Sequence, residues 1–192
     1  MLEKRKNICV YCASSGNLDK EYTDAATLLG NLMAEDDRTC ICGAGRTGLM
    51  GAVSNGCLEA GGKVVGIIPQ FMVERGWCHP ALSEVIITEN IHDRKQKMAQ
   101  MADALVALPG GCGTFEELLE VITWKQLGLL TKPIIILNTK QYYNPLIEML
   151  NKAVEENFMR KSHSQLWSVA TTPEEVMLLV DKIPETVAEQ KY

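Results

Sequence analysis

The 192-residue sequence lacks several features that would place a protein in a class at once. No apolar run reaches the length of about 18 residues that a membrane-spanning helix needs. The N-terminal stretch MLEKRKNICVYCASS is basic, but its apolar part is too short for a signal peptide. Positive charge is not in excess, because 19 basic and 24 acidic side chains give a net charge of −5. We therefore expect a cytoplasmic protein that binds neither membranes nor the phosphates of nucleic acids.

The sequence also lacks a cysteine pattern typical of disulfides or zinc. Its seven cysteines are an odd number, which does not suit a closed set of disulfides. Cys9 and Cys12 form a CxxC motif in an apolar run that is typical of a strand, where residues three apart point to opposite faces. Cys40 and Cys42 share a face, yet no second Cys or His pair completes a tetrahedral site. These patterns predict buried, reduced thiols, with neither a metal site nor a cofactor.

Short apolar segments rich in Ile and Val alternate with amphipathic segments from one end of the chain to the other. The predicted strands are 8–12, 39–42, 64–68, 85–88, 104–108, 133–137 and 167–170. The predicted helices are 19–35, 48–61, 92–102, 114–127, 143–157 and 173–182. This alternation predicts a Rossmann-like α/β fold, with a mostly parallel sheet and helices on both faces. The length predicts a single domain over residues 1–192, with a polar tail after Pro184 that frays.

Glycine is concentrated in two places. Seven of the 15 glycines lie in GAGRTGLMG, residues 43–51, and in PGGCG, residues 109–113. Each segment follows a predicted strand and precedes a predicted helix, at the sheet edge where ligands of parallel α/β folds bind. Backbone N–H groups and a helix N-terminus attract anions there. Tight turns alone would explain one such loop, but two in one small domain favour an anion site.

The first glycine loop matches the dinucleotide motif GxGxxG from Gly43 to Gly48. An NAD site also needs an acidic residue about 20 positions further on, at the end of the next strand. That region reads GIIPQ, residues 66–70, and contains no carboxylate. No GK[ST] follows the glycines, which excludes a Walker A loop. The loop therefore predicts neither NAD binding nor a P-loop nucleoside triphosphatase.

The second glycine loop leads into a predicted helix that opens with two acidic residues. Thr114 and Glu117 spell T-x-x-E, so Glu117 could serve as a capping-box residue that accepts a bond from the Thr114 N–H. Alternatively, the helix N-terminus keeps Glu117 ionised beside a phosphate site, where its charge faces a developing positive charge. The local sequence leaves both interpretations open.

Longer segments carry a resemblance to a known family. PGGCGTFEE, residues 109–117, resembles the PGGxGTxxE motif of the LONELY GUY (LOG) family of cytokinin-activating phosphoribohydrolases. The segments at 43–69, 91–98 (IHDRKQKM) and 116–128 (EELLEVITWKQLG) are similar to the corresponding parts of the family, so that the resemblance covers residues 8–150. Residues 71–84 resemble bacterial members more than plant members.

The resemblance implies an activity and a set of site residues. The activity is hydrolysis of the N-glycosidic bond of a nucleoside 5′-monophosphate to free base and ribose 5-phosphate. Arg94 and Glu117 match the family's two required residues. The implied binding positions are Lys95, Gly111, Cys112, Gly113, Thr114, Phe115, Glu116 and Thr123. We expect the backbone from Gly110 to Thr114 to hold the phosphate, with Lys95, Ser15 and Gly45 nearby.

The residue types suit this chemistry. A carboxylate such as Glu117 can stabilise an oxocarbenium-like sugar, attack it, or activate water. Arg94 stays protonated at neutral pH, so it can clamp the phosphate or orient the sugar but cannot donate a proton. Family members are often labelled lysine decarboxylases, but the sequence contains no recognisable pyridoxal phosphate constellation.

Assembly and specificity are further expectations. The resemblance implies a homodimer or a larger homo-oligomer, for which the helix 143–157 and the pair Met98 and Met101 are candidate contacts.

Two other functions stay open. One is a nucleotide-binding or cofactor-binding protein of the same fold without catalysis. The other is a nucleosidase of broad specificity for AMP and other purine and pyrimidine monophosphates.

Overall fold

The computed structural model describes residues 6–184, so both ends of the predicted domain, including the tail after Pro184, lie outside the described residues. The strands are β1 Asn7–Tyr11, β2 Thr39–Cys42, β3 Lys63–Pro69, β4 Glu84–Thr88, β5 Ala104–Ala107, β6 Ile134–Leu137 and β7 Ser168–Ala170. The helices are α1 Lys20–Glu35, α2 Gly48–Glu59, α3 Gln70–Glu74, α4 Ile91–Met101, α5 Cys112–Gln126, α6 Asn144–Glu155 and α7 Pro173–Lys182. Two short 3₁₀ helices lie at Thr139–Gln141 and Lys161–Gln165.

All seven strands belong to one parallel sheet in the order β4-β3-β2-β1-β5-β6-β7. Helices α1, α2 and α7 pack on one face, and α4, α5 and α6 pack on the other. The predicted Rossmann-like α/β fold is confirmed. The predicted strands and the six predicted helices are present within about two residues at their ends, the usual uncertainty of such boundaries. Helix α3 was not predicted, because its five residues are too few to show a period.

The alternation of side chains along a strand explains on which face of the sheet the cysteines pack. Cys9 packs in the core on the α4, α5 and α6 face, whereas Cys12 packs on the opposite face. The expectation that they point apart is therefore confirmed. None of the seven cysteines forms a disulfide, and five of them are buried. Within the described ranges, no three His, Cys, Asp or Glu residues are grouped as a metal site would require. No helix in this part of the chain is long and apolar enough to span a bilayer.

The strand order places a crevice above β1. The chain builds the sheet outward from β1 to β4 and then crosses back to β5 on the other side of β1. The loops after β1 and β5 therefore diverge to opposite faces of the sheet, which opens a crevice at their carboxyl ends. Both glycine loops lie at this edge, after β2 and after β5.

Helices α1 and α2 approach closely enough that glycine is required at their contact. A Cβ at Gly30 would lie 2.2 Å from the Val53 carbonyl oxygen and 2.7 Å from the Cys57 nitrogen. Both are backbone atoms of α2, so they cannot move aside without moving the helix. This contact sets the position of α2, whose first turn borders the crevice through Met50.

We expect Gly30→Ala to lower the free energy of unfolding by about 1–3 kcal/mol, because the added methyl group forces the two helices apart. Gly16→Ala is the matched control, since no atom lies within 4 Å of its Cβ position. Its effect should stay within about 0.5 kcal/mol. Urea unfolding measures both values, and equal stabilities of the two variants would contradict the packing described.

Candidate active site

A cavity of about 670 Å³ occupies the crevice above β1. Its walls are the loops after β1, β2 and β5, together with side chains from α3, α4 and α5. Of the predicted site residues, the cavity is lined by Ser15, Gly45, Arg94, Gly111, Gly113, Thr114 and Glu117. The structure thus brings both predicted catalytic residues and both glycine loops to one place.

The N-terminus of α2 is open toward this cavity. Its N-cap residue, Thr47, makes no capping bond, because its hydroxyl donates to the Ser14 carbonyl at 2.8 Å. Gly48 has φ +64°, and a Cβ there would lie 2.4 Å from the Ser15 carbonyl oxygen. Only glycine fits this conformation and this distance. The loops after β1 and β2 are therefore held together, and the Met50 N–H in the first turn of α2 donates to the Ala13 carbonyl at 3.2 Å. No side chain caps the N-terminus of α2.

The N-terminus of α5 is similarly open. Its N-cap is Gly111, which has no side chain to cap the helix, and the first turn contains no acidic residue. A Cβ at Gly111 or Gly113 would meet no atom within 4 Å, so this backbone faces open space. Two helix N-termini without side-chain caps meet at one cavity, an arrangement that suits an anion by geometry and by dipole.

The capping-box interpretation of Glu117 is wrong. The helix begins at Cys112, two residues before Thr114, so Thr114 is not the N-cap and Glu117 lies in the second turn. The carboxylate instead points into the cavity and accepts a bond from Arg94 Nη2 at 2.8 Å. Thr114 is buried against Gly110, where a Cβ would lie 2.1 Å from the Thr114 Oγ1. Glu117 is therefore paired with Arg94 and has no capping role.

The Arg94–Glu117 pair is buried, with 9% of each side chain exposed. Arg94 comes from the first turn of α4, which is fixed by the Asn90 side chain accepting from the Asp93 N–H at 2.9 Å. The guanidinium passes over Gly43, where a Cβ would lie 2.7 Å from Nη2. A side chain at Gly43 would therefore displace the end of the Arg94 side chain from its present position.

Burial raises the pKa of Glu117 above its ordinary value, and the nearby Arg94 guanidinium only partly opposes this shift. Desolvation is the larger cause, because the carboxyl group has left water. The guanidinium cannot lose its proton, so it stabilises the ionised form of the carboxylate. The result is a carboxylate that is more basic than an exposed one, which suits a group that takes a proton.

Six predicted site residues do not line the cavity: Lys95, Gly110, Cys112, Phe115, Glu116 and Thr123. Lys95 donates to Glu116 and, at 3.1 Å, to Glu120, on the side of α4 and α5 away from the cavity. Thr123 lies three turns along α5 and donates to the Leu119 carbonyl at 2.7 Å. Phe115 packs against tyrosines, Cys112 is exposed, and the Gly110 carbonyl accepts from the Tyr142 hydroxyl. Neighbouring helix positions point in different directions, so only part of the loop 111–117 can face the ligand.

Sequence reasoning missed several residues at the cavity. Arg46 and Thr47 lie inside the quoted glycine loop, where their position was the available signal. Trp77 and Met72 come from the segment after β3, which no motif marked.

Tyr142 and Tyr143 support the second glycine loop, because their hydroxyls donate to the carbonyls of Gly110 and Leu108 at 2.5 and 2.7 Å. No sequence signal linked this pair to a loop some 30 residues earlier.

Comparisons with known proteins agree with the motifs. A family model described as "possible lysine decarboxylase" matches residues 50–180. The cytokinin riboside 5′-monophosphate phosphoribohydrolase LOG3 of Arabidopsis thaliana is 43% identical over 182 residues, which cover 95% of this chain and 83% of that protein. For LOG2 of the same plant, the identity is 40% over 181 residues, which cover 94% of this chain and 85% of that protein.

A solved structure supports the fold. The molybdenum cofactor binding protein from the phototrophic bacterium Rippkaea orientalis superimposes with a TM-score of 0.70. The match covers 92% of this chain and 96% of that one, at 22% identity. At that identity the likeness concerns architecture alone. The glycine loops, the Arg94–Glu117 pair and the identity to curated relatives together show that this chain belongs to the LOG family of phosphoribohydrolases.

Proposed function

We propose that the protein hydrolyses the N-glycosidic bond of nucleoside 5′-monophosphates, cytokinin ribotides or AMP, to free base and ribose 5-phosphate. The observation that carries the proposal is a buried Arg94–Glu117 pair in the same cavity as two uncapped helix N-termini. The relatives are named as phosphoribohydrolases of cytokinin riboside 5′-monophosphates. A phosphate site and a carboxylate side by side are what that reaction requires.

The 5′-phosphate would bind between the N-termini of α2 and α5. Backbone N–H groups near Gly111 and Gly113 are accessible there, with Ser15 on the adjacent loop. Arg46 is exposed and lines the cavity, and no carboxylate of the described residues pairs with it. The charge of Arg94, in contrast, is compensated by Glu117. We therefore assign to Arg46 the uncompensated positive charge that attracts the phosphate.

The chemistry would follow from the position of Glu117. As the C1′–N bond breaks, its electron pair goes to the base and positive charge develops on the ribose. The Glu117 carboxylate stabilises that charge and takes a proton from the water that attacks C1′. The departing base gains a proton from solvent. Arg94 keeps the carboxylate ionised and aims it, since its guanidinium is held by α4 and Gly43.

We expect AMP to be hydrolysed with a kcat/KM about 100-fold or more above that for adenosine, because adenosine forfeits two or more charge-assisted bonds to the phosphate. Release of free base measures both rates. Arg46→Ala should narrow the difference by lowering kcat/KM for AMP while leaving that for adenosine unchanged. Equal rates on AMP and adenosine in the wild-type protein would contradict the proposal.

A lysine decarboxylase activity does not fit this cavity. Decarboxylases that use pyridoxal phosphate bind it through a Schiff base with a lysine. None of the described residues that line the cavity is a lysine. Lys95, the residue next to Arg94, is engaged by Glu116 and Glu120 outside the cavity. The residues present therefore do not fit pyridoxal phosphate.

Two alternative functions can be distinguished from the proposed one by measuring the release of free base. One alternative is a carrier without catalysis that binds a nucleotide or a cofactor in the same fold. Such a carrier would bind nucleotides without releasing base, and it would not need the Arg94–Glu117 pair. A nucleosidase of broad specificity would release base from purine and pyrimidine monophosphates alike. A panel of nucleoside monophosphates assayed for free base distinguishes all three.

We also propose that the chain forms a homodimer or a larger homo-oligomer. Leu129, Met149 and Phe158 are large apolar side chains exposed on the side of the sheet that carries α5 and α6. Met98 is buried in the core of one chain, so its predicted place in a subunit contact is wrong. We expect light scattering to give at least twice the mass of one chain, and a monomer at micromolar concentration would contradict the proposal.

Two further proposals rest on the free cysteines and on residues 6–184, where no group of His, Cys, Asp or Glu could hold a metal ion. We place the protein in the cytoplasm, because thiols stay reduced there. We also propose that hydrolysis needs no metal ion, so that a chelator such as EDTA should leave the rate unchanged.

A further inference from the structure

The cavity has an apolar wall on the side of β3. Ile68 at the end of β3, Met72 on α3, and Trp77 just after α3 contribute side chains to it. The opposite side is the N-terminus of α5, which follows β5. β3 and β5 are three positions apart in the sheet, about 14 Å at the usual strand spacing. An extended nucleoside monophosphate can span this distance.

The order of groups along this span fixes the direction of the nucleotide. The proposed function, on which this inference rests, places the phosphate between the N-termini of α2 and α5, next to the backbone of Gly111 and Gly113. The Arg94–Glu117 pair comes next, where the sugar must lie. Arg94 Nη1 also contacts the Met72 Sδ at 3.7 Å, so the apolar wall directly adjoins the pair. The base, attached to C1′ of that sugar, is therefore directed toward Met72 and Trp77.

Trp77 is held in place by backbone pairing with the first glycine loop. Its carbonyl accepts from the Arg46 N–H at 3.2 Å, and the His79 N–H donates to the Ala44 carbonyl at 2.8 Å. The His79 ring lies 2.9 Å from the Asn55 side-chain oxygen, which ties the segment to α2. The backbone that carries the indole is thus fixed before any ligand binds, which reduces the entropic cost of stacking against Trp77.

The indole is also built into an exposed cation–aromatic cluster. The Arg75 guanidinium lies 5.1 Å from the centre of the Trp77 ring and 5.5 Å from that of Phe71. Trp77 keeps 43% of its surface exposed while it lines the cavity. A tryptophan left partly in water beside a nucleotide cavity is typical of a stacking platform for bases.

We propose that Trp77 stacks on the base of the bound nucleotide and makes the protein prefer purine over pyrimidine monophosphates. A purine covers more of the indole than a pyrimidine does, so it gains more from the contact. Phe71 shares the same arginine but does not line the cavity. It supplies a matched control for the loss of an aromatic ring from the cluster.

The test is isothermal titration calorimetry with the full chain, in a Glu117→Gln background that prevents turnover. We expect Trp77→Leu to weaken AMP binding about tenfold and CMP binding less. Binding of ribose 5-phosphate, which has no base, should stay unchanged. Trp77→Phe should recover part of the AMP affinity, and Phe71→Leu should leave it at the reference value.

Several outcomes would overturn the assignment of Trp77. Unchanged AMP affinity in Trp77→Leu would do so, as would a loss of affinity equal for AMP and ribose 5-phosphate. If Trp77→Leu changes the mass of the assembly in solution but not the affinity for AMP, the indole belongs to a contact between protein chains instead. The titration does not depend on hydrolysis. A protein that binds AMP through Trp77 but releases no base would refute the proposed function and leave this inference standing.

Discussion

Replacing Glu117 with glutamine is expected to lower kcat by about 100-fold or more while the chain keeps its fold. Glutamine has nearly the shape of glutamate and retains an Oε1 that can accept the bond from Arg94 Nη2, now 2.8 Å away. It has no charge to stabilise an oxocarbenium-like sugar, and it cannot take a proton from water. The substitution therefore removes the proposed chemistry and preserves the packing.

The pH profile gives a second readout for Glu117. Because burial raises its pKa, the ionised form is lost at a higher pH than for an exposed carboxyl group. We expect kcat/KM of the wild-type protein to fall on the acid side through this raised pKa. The acid limb should disappear in Glu117→Gln.

Glu116→Gln is the matched control for Glu117→Gln. Glu116 is one position away on α5 and bonds Lys95 outside the cavity, and Lys95 keeps Glu120 at 3.1 Å when Glu116 changes. We expect near wild-type kcat. A folded Glu117→Gln protein with wild-type kcat, or equal losses in the two variants, would overturn the assigned mechanism.

Replacing Arg94 with alanine is expected to damage both stability and activity. The substitution leaves the Glu117 carboxyl group buried without its partner, and breaking a buried ion pair typically costs about 3–5 kcal/mol. The guanidinium lowers the pKa of Glu117 in the wild-type protein, so its removal lets that pKa rise further. A larger share of Glu117 is then protonated at neutral pH, and kcat falls.

The raised pKa of Glu117 determines how the stability of the folded chain depends on pH. A folded-state pKa above the unfolded value means that the folded chain binds the proton more tightly, so stability declines as pH rises between the two values. We expect the stability deficit of Arg94→Ala to be smaller in acid than in alkaline solution. Its activity should instead recover in part as pH rises and Glu117 ionises.

Thermal unfolding and rate profiles across pH measure these effects. Arg94→Lys is the companion variant, because it keeps the charge but loses the planar fork that reaches Glu117. It should retain more stability than alanine and still lose kcat. An Arg94→Ala protein with wild-type Tm and an unshifted acid limb would contradict the pairing described.

The fold could be predicted from sequence because its strands are short apolar runs and its helices have clear periods. The parallel order follows from the alternation of the two. The Glu117 environment could not be predicted locally, since T-x-x-E fits a capping box equally well. What decides between the roles is Arg94, 23 positions earlier, which reaches Glu117 only after α4 and α5 pack side by side.

Lys95 illustrates a second limit of sequence reasoning. It adjoins Arg94 in the IHDRKQKM segment, so resemblance placed both at the substrate. Successive residues of a helix are rotated by about 100°, and only one of the two can face a given cavity. The same rotation separates Glu116 from Glu117 on α5. Two parallel ion pairs result, one inside the cavity and one outside.

The apolar wall with Trp77 depends on contacts that no local pattern encodes. Helix α3 has five residues, too few for a period, and the following segment is positioned by pairing with a loop some 30 residues earlier. The same holds for Tyr142 and Tyr143, whose hydroxyls support the second glycine loop. Such long-range contacts shape the cavity, whereas the motifs specify its chemistry.

The most direct measurement is the identification of products from AMP incubated with the purified protein. Chromatography should detect adenine and ribose 5-phosphate in equal amounts, with no inorganic phosphate released. Adenosine with inorganic phosphate would instead mean a phosphatase, and tight binding of AMP without any product would mean a carrier. Either result would contradict cleavage of the N-glycosidic bond at the Arg94–Glu117 pair.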